Sequence, residues 1–584
     1  IRRIMSKQTI FLLRDTSLTQ DNTRDFQVLF LKIARDLGIE ESIQAVRASD
    51  LGIYDRGYVV KDLTNGVTYA NIRDTDIERF LKATVKGEGS VDEFKYTDDK
   101  CQLRVVLRNC GLIDPESIEE YMAQQGYCAL AKALTEMTPE TVIEEMKKSG
   151  LRGRGGAGFP TWMKWSFARN SLDETRFVVC NADEGDPGAY MDRSILEGDP
   201  HAVVEGMILA GFAIGAQRGF FYIRAEYPLA IKRIETAIEQ AYERGLLGNN
   251  ILGSGFSFDL EIRLGAGAFV CGEETALIQS IEGKRGTPIS RPPFPADKGL
   301  WKHPTIINNV ETLATIAQII NRGGEWLAAI GTEKSKGTKV FAITGKVKNS
   351  GLVEIPMGMT LGEIVFGIAG GVLGGGKLMA VQTGGPSGGV IPLELIDTKV
   401  SYEHLAEVGS IMGSGGLIVM DEDDCMVDIP RFYLRFCVEE SCGKCAPCRI
   451  GGFQMLQILD RIAEGKGVDA DLKQMQRIAQ GMQKASLCAL GQTAPNPVLS
   501  TMKYFAEEYR QHVEDKKCRA GKCTKMVQYS IDQTHCKKCK LCAVNCPVGA
   551  ISGSREAGYV VDQVKCIKCG TCYEVCKFKA IVRK

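Results

Sequence analysis

Cysteine is the residue type that offers this chain the most chemistry, and its spacing is regular. Of 21 cysteines, eight fall in the last 49 residues: Cys536, Cys539, Cys542 and Cys546 in CKKCKLCAVNCP, then Cys566, Cys569, Cys572 and Cys576 in CIKCGTCYEVCK. Clustered thiols in a large chain whose opening residues do not read as a secretory leader point to metal binding, not disulfides. A triplet at two-residue spacing plus a fourth thiolate suits an iron-sulfur cube, whereas structural zinc normally takes two C-x2-C pairs. The triplet recurs upstream as Cys442, Cys445 and Cys448 in ESCGKCAPCRIG, followed by Cys488 in ASLCALGQ. A zinc knuckle with a stray cysteine is the competing reading there. Between these regions, QHVEDKKCRAGKC places His512 near Cys518 and Cys523. Those three are candidate ligands for a structural zinc, and simple buried or surface thiols fit them equally well.

The tail resembles bacterial two-cluster ferredoxins. In that fold the first three cysteines of each run hold one cluster and the fourth crosses to the other. The resemblance assigns Cys536, Cys539, Cys542 and Cys576 to one [4Fe-4S] cluster and Cys566, Cys569, Cys572 and Cys546 to its partner. The second run has Lys577 where proline is usual.

Clusters move single electrons, so something must load them. Residues 150–158, GLRGRGGAG, hold five glycines. Gly153, Gly155 and Gly158 satisfy G-x-G-x-x-G, but that fingerprint has meaning only when a strand feeds the first glycine. Upstream, MTPETVIEEMKKSG predicts a helix with Thr138 as N-cap, Pro139 in its first turn and Gly150 as its stop. A helix-fed loop fails the Rossmann condition, and the absence of G-K-[ST] excludes a Walker A loop. What remains is close backbone approach to a flat or phosphorylated ligand. The helix predicted in PTWMKWSFARN would add its first amides and Lys164. A flexible surface loop is the bland alternative. Three more segments accompany it. The apolar strand RFVVC leads to NADEGDPGAYMDR, placing Asn181, Asp183, Glu184 and Asp186 at a strand end, where open sheets hold ligands, although a solvated turn has the same composition. IRLGAGAFVCGEETAL leads to a helix starting at Glu273 and Glu274, and PTIINNVETLA to a helix led by Asn308 and Asn309.

The elements that must position these residues have ample material. The chain has 584 residues, 44% hydrophobic and 25% charged, enough for several cores. Its 72 basic and 72 acidic residues cancel, which gives no whole-chain footprint for nucleic acid or an anionic membrane. No apolar run is long enough to span a bilayer, and a cytoplasmic protein is expected. FQMLQILDRIAEGKGVDADLKQMQRIAQGMQ reads as two helices broken by a glycine turn, a small bundle around the third cluster.

GRGGAGFPTWMKW, NADEGDPGAYMDR, GAGAFVCGEETAL, RPPFPA, INNVETLA and ESCGKCAPCR together resemble the FMN- and NADH-binding subunit of respiratory complex I, in unbroken order over residues 135–515. The wording NADEGDPGA and the ferredoxin tail bring the chain nearer the flavin subunits of electron-bifurcating hydrogenases, NAD-dependent formate dehydrogenases and related transhydrogenases. The resemblance implies FMN against the glycine loop, with Gly153, Arg154, Gly155, Gly156, Lys164, Asn181, Asp183, Glu184, Gly272, Asn308, Asn309 and Thr312 around it. It implies that Phe159, Phe167 and Phe294 stack on or flank NAD(H) and that Glu274 meets its ribose or amide. Glu273, Asp186 and Arg291 belong to the same cofactor-binding set. Asp186 stands where glutamate is usual and Arg291 where lysine is, so the choice between NAD and NADP stays open.

The implied fold is multidomain, α/β and α+β. Residues 1–130 resemble a thioredoxin-like domain, here without a cluster, because Ala70 replaces an expected cysteine and only Cys101, Cys110 and Cys128 are present. Residues 131–332 form the FMN- and NAD(H)-binding α/β domain and 333–415 a β-grasp-like domain. Residues 416–515 form a helical bundle with one [4Fe-4S] cluster, 516–530 a linker with the candidate zinc thiols, and 531–584 the ferredoxin domain with two. The implied activity is hydride exchange between NAD(H) and FMN, with single electrons passing through the clusters in a bifurcating complex. Implied partners are ferredoxin, a thioredoxin-like [2Fe-2S] subunit and a catalytic iron-sulfur subunit, with no nucleic acid and no membrane span. A non-bifurcating NADH dehydrogenase module and a flavin-free relay subunit are the competing readings.

Overall fold

The computed structural model of the chain describes residues 8–15, 22–48, 53, 57–96 and 102–583. Two compact units result. One comprises residues up to 375 with 381–388 and 393–419, and the other 376–380, 389–392 and 420 onward.

The first unit opens with a mixed sheet. Strands β1 (Thr9–Asp15), β2 (Ile43–Arg47), β3 (Tyr58–Asp62), β4 (Val67–Ile72) and β5 (Lys95–Tyr96) lie in the order β2-β1-β3-β4-β5. Only β1 and β2 run parallel. The helix Thr23–Asp36 seals one face through Phe30, which meets Phe11 and Phe26 edge-on and Phe80 at a tilt, and through Phe26, which stacks on Tyr58, ring pairs that add to simple area burial. Ala70 packs with Ile53 and Val59, Cys110 is buried in the larger core that follows, and Cys128 is exposed. Cys101 lies outside the described residues.

That larger core surrounds a second sheet of β6 (Phe177–Ala182), β7 (Arg218–Arg224), β8 (Asp259–Gly265) and β9 (Thr305–Asn309), all parallel, in the order β8-β7-β6-β9. The helix Pro200–Ile214 is apolar on nearly every side and almost wholly buried, as such a helix must be. Its one acid, Glu205, accepts hydrogen bonds from the Tyr121 hydroxyl (2.6 Å) and from the Tyr127 and Leu130 N–H groups, so it clamps the incoming segment. The helix Pro139–Ser149 is capped by the Thr138 side chain and stopped by Gly150 in the left-handed region, as the sequence predicts. The sequence reading that Asn308 and Asn309 both lead a helix needs correction. β9 runs through Asn309 because its β-branched residues pair with β6, and Asn309 alone caps the helix Val310–Arg322.

A third sheet begins with β10 (Thr338–Gly345) and β11 (Gly351–Pro356), which are antiparallel, and reaches past residue 415 into Gly416–Asp421, whose first residues pair in parallel with Ala342–Gly345. Lys339 on β10 and Glu311, in the first turn of the helix after β9, are both fully buried and ion-paired. The Lys339 ammonium also donates to the Val340 and Ser414 carbonyls, and Glu311 accepts from the Val340 N–H (2.9 Å).

The second unit contains the helices Asp428–Glu439, Gly452–Ala463, Asp469–Ala485 and Asn496–Tyr504 around one core. A tail of two short antiparallel strand pairs and two one-turn helices follows.

Replacing Lys339 by methionine leaves a buried carboxylate without its cation, and the first unit is expected to lose about 3–5 kcal/mol. Thermal unfolding measures this, and the double variant Glu311→Gln/Lys339→Met should recover most of the loss.

Candidate functional site

Because β6 to β9 are parallel, their carboxyl ends open on one edge. From β6 the chain moves to β7 and β8 on one side, then returns to β9 on the other. That reversal creates the switch-point crevice where open α/β sheets bind ligands. Asn181 and Asn309 face each other in register across it.

The glycine loop lies over this crevice. Bonds from the Gly153 N–H to the Phe159 carbonyl (2.8 Å) and from the Thr161 N–H to the Leu151 carbonyl (3.0 Å) close it. A Cβ on Gly155 would come 3.2 Å from the Asn309 Cβ. One on Gly156, whose φ is +115°, would come 3.2 Å from the Gly413 backbone. No side chain fits there without displacing a neighbour.

Around the loop the predicted residues separate into distinct roles. Asn181 donates to the Gly272 carbonyl (2.9 Å), which draws the segment after β8 to the end of β6. Asn308 accepts from the Trp165 indole (3.0 Å), and Asn309 donates to Asp192 (2.6 Å). Arg154 and Thr312 are engaged with the loop itself. The Arg154 guanidinium, 2% exposed, donates to the Arg152 and Lys336 carbonyls, while the Thr312 hydroxyl accepts from the Arg154 N–H. Both residues hold the loop from beneath, since a planar five-donor group suits stranded carbonyls.

Carboxylates gather beside the loop. Glu184 accepts from the Asp192 and Arg193 N–H groups, both at 3.1 Å, and Asp186 accepts from the Ser414 hydroxyl at 2.6 Å. Burial pushes Glu184 up to about 7, against the pull of those amides, and pushes Asp186 up to about 6. Asp192 rises well above the usual carboxylate range through burial and the charges of Glu184 and Glu311. Asp183 is buried among them, and a Cβ on Gly272 would lie 3.3 Å from its carbonyl oxygen.

A second constellation adjoins this one. Glu273 caps the helix Glu274–Ile281 by accepting from the Thr275 and Ala276 N–H groups. Glu274 pairs with Arg291 (2.6 Å) and lies 3.6 Å from Lys164, which donates to the Ile307 carbonyl. Arg291 stands 5.9 Å above the Phe294 ring. Phe294, Phe159 and Phe167 are each about half exposed, and the latter two join the site only through the loop and helix that carry them.

In the second unit, the Ser441 hydroxyl lies 3.3 Å from the Cys448 sulfur, and Cys442 and Cys445 sit close enough for their charges to raise the Cys448 thiol, after burial. Gly491, just beyond Cys488, packs so tightly that a Cβ would come 2.9 Å from the Cys448 Cβ. In the tail, one narrow cavity is lined by Cys546, Cys566, Cys569 and Cys572, the crossed set that the ferredoxin resemblance implies. Cys536, Cys539 and Cys542 form the matching triplet, with electrostatic contact among them, and Cys576 borders the same small core as Cys546. The loops bring backbone N–H groups of Lys538, Lys568, Ala550 and Ala580 to 3.2–3.4 Å from cysteine sulfurs. Lys538, Lys540, Lys568 and Lys579 adopt positive φ in doing so.

His512, Cys518 and Cys523 do come together, and a fourth residue joins them that the sequence reading missed. The ligand atoms of Cys425, His512, Cys518 and Cys523 all lie within 4.8 Å of one another. The Cys425 and Cys523 sulfurs are each 3.4 Å from His512 Nε2 and 3.9 Å from each other. Zinc bound tetrahedrally at about 2.3 Å to sulfur needs nearly this spacing. His512 Nδ1 bonds the Glu508 carbonyl (2.7 Å), which turns Nε2 toward the thiols. Cys425 stands 87 residues before His512, too far for any spacing rule to flag.

The loop predicts a clean test. If this loop is the FMN cradle that the resemblance implies, Gly155→Leu should abolish FMN retention, read from flavin released on denaturation, while leaving iron content unchanged. Undiminished flavin would refute the cradle.

Comparison with known proteins agrees with these regions. Residues 146–318 match the Nuo51 FMN-binding domain, 428–512 the NADH-ubiquinone oxidoreductase-F iron-sulfur binding region, and 535–581 a 4Fe-4S dicluster domain. The chain is 58% identical over 488 residues to NADP-reducing hydrogenase subunit HndC of Solidesulfovibrio fructosivorans, covering 84% of this chain and 99% of that one. It is 46% identical over 414 residues to the NADH-quinone oxidoreductase F 2 subunit of Rhizobium meliloti (strain 1021), covering 71% and 98%. An NAD+-reducing [NiFe]-hydrogenase in its H2-reduced state shares the fold with a TM-score of 0.64 and 31% identity, over 86% of this chain and 84% of that one. Among the described residues no helix is long and apolar enough to cross a membrane. The chain belongs to the family of NAD(P)H-dependent, FMN- and iron-sulfur-binding oxidoreductase subunits that includes HndC and the F subunits of NADH-quinone oxidoreductases.

Proposed function

We propose that this subunit exchanges hydride between NAD(H) and FMN at the switch-point crevice and feeds single electrons through three [4Fe-4S] clusters, as the bifurcating core of a ferredoxin- and NAD-dependent complex. The carrying observation is the glycine loop held over the carboxyl ends of β6 and β9 beside half-exposed rings, in a chain that also carries three thiolate sets. The buried-polar cradle fits FMN: two glycines leave no room for side chains, and Asn181 and Asn309 are oriented by protein partners before any ligand arrives. Bound there, FMN supplies two-electron chemistry on one side and one-electron chemistry on the other.

The chain's own residues then perform orientation and exclusion. Arg154 and Thr312 fix the loop. Lys164, Glu274 and Arg291 form a charged rail for the sugar and phosphates of a nicotinamide nucleotide, and the exposed faces of Phe159, Phe167 and Phe294 offer stacking for its rings. Glu184, with its acidity weakened to near neutrality, holds a proton at its carboxyl oxygen beside the crevice over part of the physiological range. The N-terminal sheet serves as a docking domain. HndC is named for NADP reduction, which supports a relaxed nucleotide choice here.

Cys425, His512, Cys518 and Cys523 hold a structural zinc that ties the start of the bundle to the segment entering the tail. The expected result is about one zinc per chain in metal analysis of the purified protein. Cys425→Ser should lose that zinc and leave iron at the wild-type level; unchanged zinc would remove Cys425 from the set.

Bifurcation has a direct readout. With NADH as donor, ferredoxin reduction by the assembled complex should stop when the second acceptor is withheld. Ferredoxin reduction that continues unabated would favour the simple NADH dehydrogenase reading, and failure of NADH to bleach the flavin within one turnover would favour a relay.

A further inference from the structure

The candidate zinc ligands come from three separate stretches of chain: Cys425 alone, His512, and Cys518 with Cys523. No local spacing brings such stretches together, so other bonds must set them. One residue reaches all three. Glu508 lies on the short helix Ala506–Arg510 and is only 6% exposed. Its Oε2 accepts from the N–H of Met426, the residue after Cys425 (3.0 Å). Its Oε1 accepts from two nitrogens of Arg519, the residue after Cys518, at 2.9 and 2.8 Å. Its carbonyl is the partner of His512 Nδ1 (2.7 Å).

Arg519 extends the same clamp. Its guanidinium also donates to the Glu422 and Asp424 carbonyls, which ties the Cys518 loop to the residues just before Cys425. A turn closed by the Gly521 N–H on the Cys518 carbonyl (3.0 Å) then carries Cys523 along with Cys518. Beyond Glu508 the helix widens to π-type spacing over Gln511–Asp515, the turn that holds His512, and such widening is frequent at functional sites. A carboxylate that only neutralised a buried cation would need one partner. Glu508 spends both oxygens and its carbonyl on a ligand or on the neighbour of a ligand.

We propose that Glu508 is the positioning residue of this metal site: through Met426, Arg519 and its own carbonyl it sets the ligands from three parts of the chain, and so decides how tightly zinc is held. This rests on the reading that Cys425, His512, Cys518 and Cys523 bind zinc. Glu508 does not touch the metal; it acts on the groups that do. Charge-assisted bonds are short and directional, which suits them to fixing a tetrahedron whose ligands share no local backbone. Ligands set in advance by protein bonds also leave less ordering for the metal to impose.

The test uses the full chain purified anaerobically, dialysed against zinc buffers set by the chelator TPEN, with retained zinc and iron counted by mass spectrometry. Glu508→Gln keeps the shape but offers an amide N–H to one of the two donors, and half-retention should need about 10–100-fold more free zinc. Zinc K-edge X-ray absorption, which iron does not obscure, should give three sulfurs at about 2.3 Å and one nitrogen in the wild type, with that set disturbed in the variant. Iron should stay at the wild-type level. Should Glu508→Gln fail to fold, Arg519→Gln carries the same test, because the Arg519 side chain is 35% exposed. Tyr509→Phe controls for simple loosening of this helix: it removes a buried hydroxyl 3.0 Å from that of Thr501 and should lower the unfolding temperature while leaving zinc retention unchanged. Equal zinc loss in Tyr509→Phe, or wild-type retention and an unaltered zinc edge in folded Glu508→Gln, would overturn the positioning role alone. A wild-type protein without zinc would overturn the zinc reading and this role together.

Discussion

The buried pair of Glu311 and Lys339 is the interaction on which the flavin-side geometry depends. Such a pair contributes little net stability against a well-packed apolar alternative, yet breaking it is costly, so it acts mainly to fix register. Glu311 sits just after Asn309, at the end of β9, and Lys339 opens the third sheet. The same ammonium holds the Ser414 carbonyl, the Ser414 hydroxyl holds Asp186, and the adjoining Gly413 backs onto Gly156. One cation thus registers the loop over the crevice and the carboxylate beside it. The cradle belongs to two sheets, which is why neither sheet alone would make it.

Charge is treated differently around the crevice and in the tail. Around the crevice, acids are drawn together and desolvated until Glu184 and Asp186 are weak acids. For the phosphorylated cofactors proposed to bind there, this would avoid adding full negative charges while keeping hydrogen-bonding groups in place. In the tail, the thiolates are met by backbone N–H groups bent toward sulfur, a lever on cluster potential.

Much of this was legible in the sequence because the signals are local. Cysteine triplets report their chemistry by spacing, and the Thr138 to Gly150 helix announces both of its ends. The failure of the Rossmann condition followed from that helix alone. What escaped required chain positions far apart. Cys425 has no local partner, and only folding carries it to His512. Asn308 reads as a helix leader until its pairing with β6 is known. The bonds of Arg154 to the carbonyls of Arg152 and Lys336 likewise depend on chain positions that no local motif brings together. The switch point is a property of strand order, which no short motif encodes.

The lysines at positive φ in the tail carry a further consequence. A non-glycine residue in the left-handed region costs about 1–2 kcal/mol, and Lys538, Lys540, Lys568 and Lys579 all adopt it within loops that bend around sulfur. The tail's own core is only a handful of side chains, too few to absorb that strain. On the proposed reading that the tail thiolates hold two clusters, metal-thiolate bonding would supply the free energy that closes these loops, and cluster insertion and folding of the tail would be coupled. Iron and sulfide supply, not completion of the polypeptide, would on that reading set the moment at which the tail becomes a folded body, and iron starvation would leave it as a protease-sensitive strand.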